Sequence, residues 1–203
     1  MEKKSLAKKF LGEWSTKTIV AIAIGAALYG VLMVYGSIPV FTNTYLSSAM
    51  VVPVVVGALF GPIPAMITLL VGNCLADLIG GWGFWFDWSV GNGFLGLFVG
   101  LLPVYGADIK NGIFKVKHII IYIICFIVGN AVAFGIITPI MTALFYSADL
   151  EITFIQSFAS GISNTAVLVI VGVPILLILS KRYASRTNLK EEPEELEEEA
   201  KED

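Results

Sequence analysis

The chain has 203 residues, of which 57% are hydrophobic and only 14% charged, and its mean hydropathy is +0.84. A water-soluble domain carries roughly 25% charged residues, so too little polar surface exists here to cover a globule in water. The net charge of -3 conceals a split. Residues 189–203 hold nine acids and two lysines, whereas residues 1–188 hold eleven bases and seven acids.

A membrane-crossing helix needs roughly 20 mostly apolar residues, and the pattern predicts an all-α polytopic membrane protein with six transmembrane helices. Residues 1–17 form a basic N-terminus. Span one covers about 18–35. It is expected to be retained, because no small-x-small cleavage site of a signal peptide follows it. Two small-residue pairs at four-residue spacing lie on it, Ala23 with Ala27 and Ala26 with Gly30. Such pairs let helices approach closely, either inside the bundle or against a partner. An outer loop over 37–44 adds Phe41, Asn43 and Thr44. Spans two (about 46–60) and three (about 62–79) meet at a helix break, Gly61-Pro62. Span four covers about 90–104. Span five runs from about 119 to 145 and carries Pro139 near its end, where it should tilt, kink or stop early. Span six covers about 158–179, which makes residues 18–183 the membrane domain. Residues 184–203 then form a cytoplasmic tail, expected to be disordered because its acids repel and offer little apolar surface.

Six spans place all thirteen bases on one side, which the positive-inside rule makes cytoplasmic. The opposite loops carry Asp87, Asp149 and Glu151 and no base. Both termini are therefore expected inside.

The chemistry is sparse at first sight. No GxxxxGK[ST] loop is present, so ATP hydrolysis is not expected from this chain. Cys74 and Cys125 lie in apolar stretches without a CxxC or HExxH motif. With His118 the lone histidine, no metal site and no cofactor are expected. Asp77 is the one ionisable residue well inside a span, and intramembrane acids mark function by default.

Unusual residues gather on the outer side. Three of the four tryptophans fall in Gly80-Gly81-Trp82-Gly83-Phe84-Trp85-Phe86-Asp87-Trp88. An aromatic belt at headgroup level would explain the rings. It would not require the glycines, which suit a tightly folded aromatic lid over a flat ligand. Asn73 sits one turn before Asp77, and Asn92, Asn130, Thr138, Thr142, Ser160 and Asn164 add polar groups to the other spans. Amides are costly in hydrocarbon, so these should face the bundle or a cavity. Some would staple helices together. The expected ligand site comprises Asn43, Asn73, Asp77, Trp82, Phe84, Trp85, Trp88, Asn92, Asn130, Thr138 and Asn164. It opens to the outside.

The basic N-terminus, the IAIGAAL segment of span one, Ile38-Pro39 with Asn43-Thr44, the Gly-Pro hairpin, and Gly72-Asn73 followed by Ala76-Asp77-Leu78 resemble a particular family. They are similar to a substrate-binding S component of an energy-coupling factor (ECF) transporter, nearest the riboflavin-type branch. The similarity covers about residues 15–183. It implies an S-component-like bundle that binds a vitamin at the extracellular side. It also implies a transmembrane coupling subunit and two cytoplasmic ATPases as partners, with toppling in the membrane carrying the ligand inward. In the family an AxxxA-type pair on the first helix meets the coupling subunit, and Ala23 and Ala27 occupy that place. The acidic tail is not part of the family pattern.

The resemblance points first to riboflavin, with a thiamine precursor, folate or cobalamin as alternatives. Aromatic rings suit any flat heterocycle, and the absence of a histidine cluster disfavours a cobalt or nickel cargo. Membrane lipids are expected around the bundle and no nucleic acid is expected as a partner. Two other classes compete. A membrane-embedded enzyme would have to work with Asp77 and Asp87 alone, and an assembly factor would bind through the small-residue face of span one.

Overall fold

The computed structural model describes residues 5–41 and 44–185; the expected site residue Asn43 and residues 186–203 of the expected tail lie outside the described residues, while Ala184 and Ser185 continue the last helix. The N-terminal segment starts with a short helix, α1 (Leu6–Leu11), which Ser5 caps by accepting the Lys8 N–H at 3.3 Å. Gly12 (φ 78°) ends it, and Ser15 caps the next helix, α2 (Thr16–Tyr35), through the Thr18 N–H. An acceptor at the N-cap satisfies an N–H that the helix itself leaves unpaired.

The expected outer loop after α2 is a small antiparallel hairpin, β1 (Ser37–Phe41) and β2 (Thr44–Ser47), which pairs Ser37 with Ser47. The all-α expectation is corrected to mostly helical by this hairpin. Span two is also shorter than expected. Residues 46–47 belong to β2, and α3 runs only over Val51–Phe60. Its ten residues cover about 15 Å, and six of them are buried.

Gly61 then turns the chain at φ 99° and Pro62 opens α4 (Pro62–Gly80). Proline suits a first helical turn, where its missing N–H leaves no intrahelical bond unmade. The helix α5 (Phe86–Val99) begins four residues earlier than the expected fourth span and ends before it. Residues 100–106 leave the helix as turns, and Ile109–Asn111 form a single tight turn before α6 (Val116–Val132).

Pro139 does not end the helical stretch, which runs Val116–Tyr146. A widened π-helical turn, Ala133–Ile137, joins α6 to α7 (Thr138–Tyr146), and Pro139 enters in the first turn of α7. A proline ring clashes with the carbonyl four residues back and removes one N–H. Widening the turn beforehand makes room for it. The last helix starts at Leu150, eight residues before the expected sixth span, as α8 (Leu150–Val167). It passes through a second π turn at Leu168–Gly172, so the helical stretch runs Leu150–Ser185.

Four helical stretches are long and apolar enough to cross a membrane: Leu6–Tyr35, Pro62–Gly80, Val116–Tyr146 and Leu150–Ser185. The chain is a polytopic membrane protein. Helix α4 is central, packing on α2 on one side and α5 on the other. Small residues permit this. A Cβ on Gly72 would fall 2.8 Å from the Tyr29 side chain, and one on Gly96 would fall 2.7 Å from the Ala65 carbonyl oxygen. The core between the helices holds Tyr29, Val54, Leu69, Leu95, Tyr122, Phe126 and Leu176. Ile19, Ile24, Leu28, Ile120, Ile124, Ile127, Ile162 and Ile170 point outward, the apolar surface a bilayer would cover.

Candidate functional site

A cavity of about 210 Å³ opens at the C-terminal end of α4. It is lined by Met33 of α2, Tyr45 of the hairpin and Met50, and by Asn73 and Asp77 of α4. Trp82, Trp85, Trp88 and Asn92 line it from the connection and α5. Phe134 and the α8 residues Gln156, Ser160 and Asn164 complete the wall.

The connection between α4 and α5 is held in a defined shape. Gly81 (φ 65°) and Gly83 (φ 89°) take left-handed conformations open to glycine at little cost. The chain thereby folds back so that the Trp85 N–H donates to Asp77 Oδ2 at 2.9 Å, while Trp85 Nε1 donates to the Trp82 carbonyl at 3.0 Å. Tyr146 of α7 clamps it from the far side. Its hydroxyl donates to the Phe84 carbonyl at 3.0 Å and accepts the Phe86 N–H at 2.9 Å, and its ring lies 4.8 Å from that of Trp85. Trp82 stacks on Tyr45 at 5.2 Å with planes 14° apart, which joins the connection to the hairpin. Trp88 leans on Phe134 at 5.8 Å.

The polar residues divide into two sets. Asn73 and Asn92 are bound into a buried chain: Tyr29 donates to Asn92 Oδ1, Asn92 Nδ2 to Asn73 Oδ1 at 3.0 Å, and Asn73 Nδ2 to Ser89 Oγ at 3.2 Å. This network ties α2, α4 and α5 together with its donors and acceptors spent on protein. Buried amides satisfied in this way are stabilising rather than costly. The second set is uncommitted. Among the described residues, only Oδ2 of Asp77 is engaged, and the side chains of Gln156, Ser160 and Asn164 make no hydrogen bond. Those three are spaced four apart, so they form one stripe along α8. The cavity thus offers one carboxylate, an amide–hydroxyl–amide stripe and aromatic faces. No cation lines it among the described residues.

Several expected site residues sit elsewhere. Phe84 is 54% exposed and does not line the cavity; its carbonyl accepts the Tyr146 hydroxyl and its ring lies 6.1 Å from that of Phe86. Asn130 lies deeper, its Nδ2 donating to Thr165 Oγ1 at 3.3 Å, and so links α6 to α8. Thr138 is fully buried against Gly91, where a Cβ would fall 2.1 Å from its Oγ1. Thr142 also staples helices, its hydroxyl between the Thr138 carbonyl and the carboxylate of Asp87. Asp87 was expected in a loop. It is instead completely buried in the first turn of α5, where the helix N-terminus favours negative charge. Gln156 was missed by sequence reasoning, because span six was expected to begin after it.

The two small-residue pairs of span one also separate. Ala26 and Gly30 are buried, and a Cβ on Gly30 would meet Leu75, Ala76 and Gly72 of α4 at 3.0–3.3 Å. They pack inside the chain and are not open to a partner. Ala23 and Ala27 are exposed.

Among the described residues, no group of three or more His, Cys, Asp or Glu side chains is placed to hold a metal. A family profile described as "ECF-type riboflavin transporter, S component" matches residues 13–181. A UPF0397 protein of Aliivibrio fischeri (strain MJ11) is 38% identical over 182 residues, 88% of this chain and 98% of that protein. A UPF0397 protein of Aliivibrio salmonicida (strain LFI1238) is 38% identical over 180 residues, 87% of this chain and 97% of its own. One from Vibrio vulnificus (strain YJ016) is 36% identical over 180 residues, 87% and 98% of the two chains. The chain belongs to the S components of ECF-type riboflavin transporters, the substrate-binding membrane subunits of those importers and not enzymes.

Proposed function

We propose that the cavity beneath the α4–α5 connection is where this S component captures a riboflavin-type vitamin from outside the cell. The observation that carries the reading is the uncommitted polar set facing three tryptophans. Asp77, Gln156, Ser160 and Asn164 have hydrogen-bonding capacity that the protein does not use, beside rings suited to stacking a flat heterocycle. A ligand would supply the missing partners. Asn73 and Asn92 brace that wall through their hydrogen bonds to each other, Tyr29 and Ser89, Trp88 lines it, and Trp82 and Trp85 belong to its cover.

The proposed topology has six crossings with both termini cytoplasmic. Four are the long helices, and the other two are α3 and α5, which are short but largely enclosed by protein. Irregular or short backbone at membrane depth is tolerated where protein surrounds it. All thirteen bases then face the cytoplasm. The domain plan is a basic segment over 1–17, the binding bundle over 18–183 and an acidic tail over 184–203.

Family membership brings a coupling module as partner. Its composition is read here as one transmembrane subunit and two cytoplasmic ATPases, with Ala23 and Ala27 on the outward face of α2 as the contact. Lipid covers the remaining apolar surface.

One second ligand reading has a specific observation behind it. Asp77 is a hydrogen-bond acceptor with no cation beside it in the lining, which suits an aminopyrimidine such as a thiamine precursor as well as a flavin. Mass spectrometry of the small molecules retained by the purified protein tests both. A flavin supports the first reading, an aminopyrimidine the second, and retention of neither under saturating supply of both overturns the placement of a vitamin here.

A further inference from the structure

A second concavity, of about 410 Å³, lies at the other end of α4, about 28 Å along that 19-residue helix from the ligand site. Lys8, Lys9, Lys17 and Lys110 line it, against two acids, Glu13 and Asp108. The walls are apolar, with Leu59, Phe60 and Ile113 among them. Its shape is built in, since Gly12 is pressed so closely on the α3–α4 turn that a Cβ would fall 2.6 Å from the Phe60 carbonyl oxygen.

The lysines are poorly neutralised. Lys8 and Glu13 approach to 3.8 Å, but both side chains are more than half exposed, and such pairs hold little energy. Lys110 sits over the Phe60 ring at 5.2 Å. Lys9 and Lys17 have no ion pair among the described residues. A cleft with apolar walls and charge of one sign focuses its field on an incoming counter-charge.

The described C-terminal helix ends beside this spot, at Ser185. Ala184 packs against Gly112, where an added Cβ would fall 2.5 Å from its own. Gly112 closes the turn that carries Lys110. The chain therefore leaves the bundle beside the basic concavity. Residues 189–203 follow, with nine acids, two lysines and the apolar side chains Leu189 and Leu196. The five residues from Ala184 to Leu189 reach up to about 17 Å when extended, and tethering at such range gives an effective concentration on the order of millimolar. The family match covers residues 13–181 and does not include residues 189–203.

We propose that residues 189–203 dock in the basic concavity formed by α1, the α3–α4 turn and the Ile109–Asn111 turn. The tail neutralises Lys9, Lys17 and Lys110, and its two leucines supply apolar contact with the walls. The rival occupant is an anionic lipid headgroup, which would meet the same lysines from the bilayer.

Per-lysine labelling with an amine-reactive reagent, read by mass spectrometry, distinguishes them. The full chain is compared with a chain ending at Asn188 and with a full-length variant whose nine tail acids are converted to their amides. Docking predicts that Lys9, Lys17 and Lys110 label about threefold or more slowly in the full chain at low salt, and that roughly 0.5 M salt removes the difference. Lys115 and Lys117, outside the concavity, should change less. Equal labelling in all three proteins overturns the proposal. So does protection that persists in both variants and follows the phosphatidylglycerol content of phosphatidylcholine vesicles, which assigns the site to lipid. Neither outcome bears on the vitamin site.

Discussion

Asp77 and Trp85 are eight residues apart, and the Asp77 carboxylate accepts the Trp85 backbone N–H at 2.9 Å. One oxygen of a membrane-embedded acid thus fixes the aromatic connection, while the rest of the group faces the cavity. The residue couples the cover of the site to its polar wall.

Asp77→Ala should weaken vitamin binding roughly 10- to 100-fold, since it removes a ligand acceptor and frees the connection at once. Asp77→Asn keeps an acceptor for Trp85 and should lose less. Titration of tryptophan fluorescence checks both, and wild-type affinity in both variants would mean that the carboxylate does not contact ligand.

Tyr146→Phe deletes the hydroxyl that donates to the Phe84 carbonyl and accepts the Phe86 N–H. The connection would then be held by Asp77, the Trp85 Nε1–Trp82 hydrogen bond and stacking. Stopped-flow measurement should show faster ligand release, by about 3- to 30-fold, with a smaller change in the association rate.

Gln156→Ala, Ser160→Ala and Asn164→Ala each remove one member of the α8 stripe. Each should cost roughly 0.5–1.5 kcal/mol of binding free energy in a calorimetric titration. Asn130→Ala, on the link to Thr165, should leave affinity unchanged while lowering thermal stability.

The two faces of α2 should separate binding from transport. Ala23→Trp and Ala27→Trp lie on the outward face, so they should abolish uptake in cells carrying the coupling module and leave vitamin binding by the purified protein intact. Gly30→Trp pushes into Gly72, Leu75 and Ala76 and should prevent folding, since overpacking of that size has no room to relax. Uptake that survives both Ala23→Trp and Ala27→Trp would remove that face from the partner contact.

Part of the cavity lining was legible in the chain because its signals are local. Trp82, Trp85 and Trp88 among glycines announce a tight aromatic connection, and Asn73 with Asp77 announces a polar face on one helix. Gln156 was not legible. It follows Glu151 and Thr153 in the polar opening of the last helix, and the last span was expected to start only at residue 158, yet the helix begins at Leu150. The roles of Asn73 and Asn92 were hidden for another reason. Their pairing joins residues nineteen apart on different helices, and no spacing rule reveals it. Nor could the sequence tell Ala23 from Ala26, because both faces of α2 are apolar and one of them is meant for lipid. Asp87 next to Trp88 read as a loop acid, whereas burial of its carboxylate depends on Thr142 arriving from α7.

The most direct test of the central claim is an equilibrium titration of the purified full chain with riboflavin in the absence of ATP and coupling subunits. Saturable one-to-one binding is predicted at about micromolar affinity or tighter, greatly weakened when Asp77→Ala and Trp85→Ala are combined. Riboflavin and aminopyrimidines both failing to bind, or binding that ignores the double substitution, would contradict the account.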